Sequence, residues 1–318
     1  DDDCPARLRT DDQDSREAAG HVETSGNRQR GRAHSMYDVC EVFSPARVAA
    51  TASKLGLRGG WSLDLSQPCK LTGKTWNCLV EEDREWAKRR LFSDRPELLV
   101  VCPPCTLFSS LQNLSPNGLP EWRCPDRWNE ALVMLRFAVE LCLIQHRAGR
   151  AFVFEHPSTA SSWADASLRE LLSTSGVLTS LLDMCRYGMV ATHKQGEAPV
   201  RKITRIATNV FEIADALSLR CEGGHRHVHL VSGRPKGAAV YPPEFCRAIV
   251  RGLQIYQKRR AAGIKRGGEI QYLLIFSRAD LCDPEEEELC GRFIDDLKGT
   301  ELDAKLIRAA RKEELEEF

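Results

Sequence analysis

The chain carries no excess charge of either sign. Lys and Arg together number 45 in 318 residues, and Asp and Glu also number 45. A chain-wide electrostatic pull toward nucleic acid is thereby excluded, although a local basic groove is not. Long apolar runs are missing as well. None approaches the ~18 residues of a membrane span, so no membrane partner is expected. No secretory leader is expected. The 13 cysteines are scattered through apolar stretches such as Leu141-Cys142-Leu143 and Phe245-Cys246. Without a secretory route they read as reduced thiols rather than a disulfide framework. The expected location is nuclear or cytoplasmic, not secreted. The chain opens at Asp1 rather than Met and stops in an acidic helical stretch, which leads us to expect a piece of something longer.

What is present suffices for one α/β domain with flanks. Hydrophobic residues make up 42% of the chain, enough to close a core over about 200–250 residues. Residues 1–36 are rich in Asp, Arg, Gln and Ser and are expected to be a disordered linker. Tyr37–Phe43 reads as a strand. Ser44-Pro45 supplies an N-cap and a first-turn proline, which predicts a helix through about Leu55, broken by Gly56, Gly59 and Gly60. Strands are predicted at Trp61–Leu65, Glu97–Val101 and Ala151–Glu155. Helices are predicted around Glu81–Phe92, Trp128–Arg147 and Ser167–Leu172. This alternation implies a Rossmann-like fold with a parallel sheet. The domain is expected over 37–258, followed by a charged linker and helical tail over 259–318. In such sheets ligands sit beyond the carboxyl ends of the strands, and the chemical motifs fall there.

Three motifs carry chemistry. Val100-Val101-Cys102-Pro103-Pro104-Cys105 ends a strand in two prolines, whose stiffness would hold the Cys105 thiol in place as a nucleophile. A zinc-binding Cys-x-x-Cys is the competing reading, but no second ligand pair at matching spacing accompanies it. Phe152-Val153-Phe154-Glu155-His156-Pro157 places a carboxylate at the end of an otherwise apolar strand. Burying it is costly unless it is paired or functional. Arg201-Lys202-Ile203-Thr204-Arg205 reads as a strand with Arg201, Ile203 and Arg205 on one face, where the guanidiniums could hold a base carbonyl or a phosphate. The bland alternative is a solvated edge strand guarded by its cations.

Taken in order, these motifs resemble the DNA cytosine-5 methyltransferase family, especially its short phage-type members. Pro103, Pro104, Cys105, Phe108 and Ser109 match the family's Pro-Pro-Cys-x-x-Phe-Ser loop. Glu155-His156-Pro157 matches its Glu-Asn-Pro, with His in place of Asn. Cys185–Gly188 and Arg201–Asn209 match its Cys-x-Tyr-Gly and its Arg-Lys-x-Thr-x-Ile-x-Thr-Asn. Gly237–Phe245 is similar to the late Gly-Asn-Ala-Val-Pro-Pro-x-Leu, and Glu41-Val42-Phe43-Ser44 stands where the family has Asp-Leu-Phe-Ser. The resemblance spans about residues 37–255. It implies a methyltransferase fold acting on nucleic acid, DNA before RNA, with S-adenosylmethionine as cofactor. Cys105 would attack C6 of cytosine, Glu155 would engage N3 and the exocyclic amine, and Arg201 or Arg205 would bind the O2 carbonyl. Phe43, Ser44, Asp64, Pro103 and Ala239 would line the cofactor. A duplex substrate would have to flip its base out of the stack.

The chain also departs from this pattern. The family's Phe-Ser-Gly-x-Gly loop here reads Phe43-Ser44-Pro45-Ala46-Arg47, losing the glycines that let a backbone approach a ligand. No third strand is evident between Asp64 and Glu97, and 209–237 leaves no room for a target-recognition region. That stretch holds Cys221, His225, His227 and His229, a weak zinc candidate or a polar loop. Phe293–Gly299 with Ala309–Leu315 resembles the segment before the reverse transcriptase of Copia-type retroelement polyproteins, which would put such a region in the same chain. Three readings stay open: an active methyltransferase, a degenerate fold retained to bind nucleic acid or a partner, and a zinc-stabilised binding protein.

Overall fold

The computed structural model describes residues 35–109, 124–193, 196–228 and 240–263. The expected linker over 1–36 and tail over 259–318 lie almost wholly outside the described residues.

The strands are β1 (Val39–Val42), β2 (Gly59–Leu63), β3 (Leu98–Val101), β4 (Ala151–Pro157), β5 (Leu178–Asp183), β6 (Val190–His193), β7 (Gly196–Pro199) and β8 (Ile203–Thr208). Six of them form one sheet in the order β2-β1-β3-β4-β8-β5, while β6 and β7 pair separately. The helices are α1 (Val48–Lys54), α2 (Glu81–Asp94), α3 (Pro125–Arg147), α4 (Ala166–Ser173), α5 (Phe211–Ala216) and α6 (Pro243–Ala261). The last runs past the expected domain boundary at 258.

Two apolar layers explain the arrangement. Leu91, Leu135, Leu141 and Leu168 from α2, α3 and α4 pack on Leu99, Val101, Phe152 and Phe154. Val48, Ala52, Ile213, Ile249 and Leu253 from α1, α5 and α6 pack on the opposite face, against Leu98, Val100, Val153 and Ile206. β1 and β3 are buried along their whole length. That is why their sequences are continuous apolar runs interrupted only by Glu41. Each fully buried Leu contributes roughly 1.5–3 kcal/mol.

The α/β expectation holds, but the sheet is mixed rather than parallel. β1, β2, β3 and β4 are parallel, whereas β8 is antiparallel to both β4 and β5. The cause is the connection. β5 returns to β8 through a 3-10 turn and the β6–β7 hairpin, with no crossover helix to carry the chain back to the starting edge. Two local expectations also shift. α1 begins at Val48, not at Ser44, because the Ser44 hydroxyl bonds the Pro45 carbonyl at 3.0 Å. The cap comes instead from Glu41 on β1, whose Oε1 accepts the amides of Arg47 at 2.8 Å and Ala49 at 2.7 Å. Gly59 and Gly60 do not break a helix but begin β2. A Cβ on Gly59 would lie 2.2 Å from the Ala49 carbonyl oxygen, and one on Gly60 would lie 2.5 Å from the Cys40 sulfur.

From β1 the chain passes through α1 to β2 on one side, then through α2 to β3 on the other. The order therefore reverses between β1 and β3, which opens a crevice at their carboxyl ends. Among the described residues no strand lies outside β2. The connection before α2 instead buries Cys69, Trp76 and Cys78 in the core. Among the described residues no helix is long and apolar enough to cross a membrane.

Gly59→Ala is expected to destabilise the domain by about 1–3 kcal/mol, since the added methyl meets backbone that cannot step aside. Urea unfolding of the two proteins measures it.

Candidate active site at the carboxyl edge of the sheet

The nucleophile loop leaves β3 at the switch point. The Cys102 amide still donates to the Val42 carbonyl at 3.2 Å, so the strand pairing persists up to the prolines. Cys105 then caps a 3-10 turn over Thr106–Phe108, with the Phe108 amide bonded to the Cys105 carbonyl at 3.1 Å. Phe108 is buried and its ring lies 5.2 Å from Trp128 and 5.8 Å from His156.

His156 fixes this loop from β4. Its Nε2 lies 3.1 Å from the Pro103 carbonyl oxygen and its Nδ1 lies 2.6 Å from Ser162 Oγ. A carbonyl can only accept, so Nε2 carries the hydrogen and Nδ1 accepts from the Ser162 hydroxyl. Burial lowers the ring to about 4, which keeps it neutral. His156 is thus a buried neutral donor that holds the Pro103 loop.

Glu155 points to the opposite face. It pairs with Ile206 across β8 and is 5% exposed. Both of its oxygens are engaged. Tyr241 Oη donates to Oε2 at 2.5 Å, and Lys202 Nζ approaches Oε1 at 3.5 Å. Lys202 also lies 6.0 Å from the Tyr241 ring centroid. Burial alone would pull the Lys202 ammonium down, but Glu155 and Cys105 outweigh it and hold it above its ordinary value. Burial raises the Tyr241 hydroxyl, and Cys102 and Glu155 raise it further. Burial likewise raises the Cys105 thiol. Lys202 works against that rise and Glu155 adds to it. Cys102 is raised strongly by burial and then by Glu155. Cys105, Glu155, Lys202, Tyr241 and Cys102 therefore form one electrostatic unit.

The two arginines expected here are elsewhere. The Arg205 guanidinium sits 4.6 Å over the Trp163 ring, and Trp163 belongs to the layer opposite Glu155's neighbour Ile206. Arg201 precedes β8, and its Nε lies 3.4 Å from Asp183 Oδ1, whose other oxygen holds Arg220 at 3.0 Å. Lys202 is the cation that meets Glu155. The signal was legible: Thr204 and Ile206 are buried at alternate positions of β8, and Lys202 shares their alternation. Tyr241 carried no comparable mark, because the family's late motif has no aromatic before its prolines.

The positions matched to a cofactor loop surround the same crevice. Phe43 holds φ +62°, a left-handed conformation rare for a bulky residue. Its amide donates to the Leu63 carbonyl at 2.7 Å and its ring meets the Trp76 edge at 5.2 Å. Ser44 is buried. Asp64 follows β2, with Oδ1 accepting the Ser66 amide at 2.8 Å. Pro103 is held by His156, and Ala239 lies outside the described residues. Pro45 and Arg47 occupy the family's glycine positions with negative φ, so the backbone there does not demand glycine. Asp64 at the β2 end lies beside Trp76 and Phe43; a carboxylate there could accept from a ribose diol and a ring could stack on an adenine. Burial raises Glu41 to about 7, opposed by the amides it caps.

The weak metal candidates also meet. Cys221, His225 and His227 lie together, joined by Cys185. His229 lies outside the described residues.

His156 makes the acid limb of stability testable. It binds its proton near 4 when folded and near 6.5 when unfolded. Unfolding takes up a proton between those values, so stability falls as pH drops through them, by roughly 3 kcal/mol for a group this buried. Glu41, raised from 4.5 to about 7, has the opposite sign and gains stability as pH falls over its own interval. His156→Asn keeps a donor for Pro103 and removes only the histidine contribution. The difference between the two proteins' unfolding free energies is therefore expected to shrink from pH 7 to pH 4.5. Parallel curves would show that His156 does not titrate as described.

The chain matches no known protein-family model, and no curated protein sequence matches it.

Proposed function

We propose that this domain is a methyltransferase-like module that adds the Cys105 sulfur to C6 of a cytosine in nucleic acid, DNA before RNA. The observation that carries this reading is the buried Glu155–Lys202 pair close enough to Cys105 to act on its thiol, at the carboxyl ends of β3 and β4 and the amino end of β8. A structural cluster has no need of a proline-stiffened thiol beside a buried carboxylate and a buried ammonium.

The chemistry is a conjugate addition. The thiol gives its proton to Glu155 as its sulfur bonds to C6. The C5–C6 electron pair shifts toward N3, and Glu155 passes the proton to N3. Carbon 5 then carries enamine character and is nucleophilic. Lys202 favours the thiolate and stays charged throughout. Tyr241 holds Glu155 in place, and His156 holds the loop. S-adenosylmethionine would supply an electrophilic methyl group to C5, with Phe43, Ser44, Asp64 and Pro103 as the residues that would hold it. The same chain would place the domain beside a reverse transcriptase region in a retroelement polyprotein.

A second reading has its own support. Both Glu155 oxygens are already occupied, and Glu41 already consumes the first amides of α1. A fold retained only to bind nucleic acid would tolerate both features.

Exchange of cytosine H5 with solvent separates the two, because it needs the addition step but no methyl donor. Tritium at C5 of an oligonucleotide is expected to be released by the wild type and not by Cys105→Ser. Because the thiol passes its proton to Glu155 and not to solvent, the rate is expected to stay nearly level with pH near neutrality. Lys202→Met is expected to slow it. No release by a folded wild type at any pH would leave the binding reading. Calorimetry with S-adenosylmethionine then tests the cofactor separately.

A further inference from the structure

We propose that Cys185, Cys221, His225 and His227 form a structural zinc site that ties the end of β5 to the 217–228 loop. The four ligand atoms lie within 4.8 Å of one another. Cys221 Sγ is 3.6 Å from His225 Nε2 and 3.5 Å from His227 Nε2, and the two Nε2 atoms are 2.9 Å apart. With Zn–S near 2.3 Å and Zn–N near 2.0–2.1 Å, a tetrahedral ion separates sulfur from nitrogen by about 3.5 Å and nitrogen from nitrogen by about 3.3 Å. The sulfur–nitrogen distances match, and the nitrogen pair needs to open by only a few tenths of an ångström. Two imidazoles and two sulfurs turned toward one point are the donor set that a borderline-soft divalent cation such as zinc takes.

The backbone around the site is built for it. Gly223 and Gly224 hold φ +83° and +79°, a doubly left-handed turn that only glycine adopts without strain. It brings His225 back over Cys221. The Gly223 amide donates to Cys221 Sγ at 3.4 Å, a bond that supports a thiolate ligand. The Cys221 amide donates to the buried Asp183 Oδ2 at 2.7 Å, and Arg186 bonds the Arg220 carbonyl at 2.9 Å. All four tetrahedral positions are filled by the protein, which marks a structural rather than a catalytic ion.

The site also bears on the active centre. Cys185 lies in the 3-10 turn over Met184–Tyr187, and the Met184 amide contacts the carbonyls of Arg201 and Lys202, each at 3.2 Å. A metal clamped through Cys185 holds the turn that holds the Lys202 backbone.

Metal analysis of the full chain, purified without added metal or chelator, tests the site. About one zinc per chain is expected. Cys185→Ser and His227→Ala are expected to lose it, and His229→Ala to keep it. Cobalt added to chelated protein is expected to give a sulfur-to-metal charge-transfer band. That band is expected to be absent from each single cysteine variant, as the zinc is. Zinc returned to the chelated wild type is expected to raise its Tm and to leave that of Cys185→Ser unchanged. A chain that binds neither metal, that carries a Cys185–Cys221 disulfide, or whose zinc survives Cys185→Ser but not His229→Ala would overturn the proposal.

Discussion

The carboxyl edge of the sheet is organised around one buried carboxylate. Glu155 cannot be left alone in a low-dielectric layer, because an unpaired charge there costs several kcal/mol. The fold answers with Lys202 from the start of β8 and Tyr241 from the segment before α6. These groups come from three places far apart in the chain, so the carboxylate gathers β4, β8 and the C-terminal helix at one point. The antiparallel direction of β8 is what allows it. A parallel strand would bring its carboxyl end to this edge, and the Lys202 side of the strand would lie at the far end of the sheet.

The same strand end works in two directions. Glu155 and His156 are neighbours in β4, and alternation sends them to opposite faces. Glu155 meets the groups that tune the thiol. His156 reaches the Pro103 carbonyl and holds the loop that carries the thiol. Position and reactivity of Cys105 are thus set by adjacent residues, one acting through a neutral hydrogen bond and the other through charge. This division explains why the histidine must stay neutral. A charged ring would compete with Lys202 for Glu155 and would itself need a buried partner.

Much of this was legible in the sequence. The strands and helices followed from apolar runs and helical spacing, and Cys105 and Glu155 stood out as polar groups at the ends of apolar strands. What failed were questions of direction. Among the described residues no crossover helix lies between β5 and β8, yet the parallel expectation was carried through that stretch. The helix start at Ser44 failed for a related reason. The cap is a side chain on the preceding strand, and local cap rules do not look there. Tyr241 and Cys185 are harder cases, since their partners lie far off in sequence and no local pattern announces them.

The loop after β1 draws on the same contacts. Its sharp turn is made by Phe43 in the left-handed region, two residues before Pro45. Glu41 then takes up the first amides of α1. The conformational demand falls on a strained aromatic, and strain of that kind costs of order 1–3 kcal/mol unless its surroundings impose it. Here the Leu63 carbonyl and the Trp76 ring impose it. Trp76 comes from the coil that stands where a third strand would lie. The strained turn and the coil before α2 therefore depend on each other: the coil supplies the ring that makes the turn tenable.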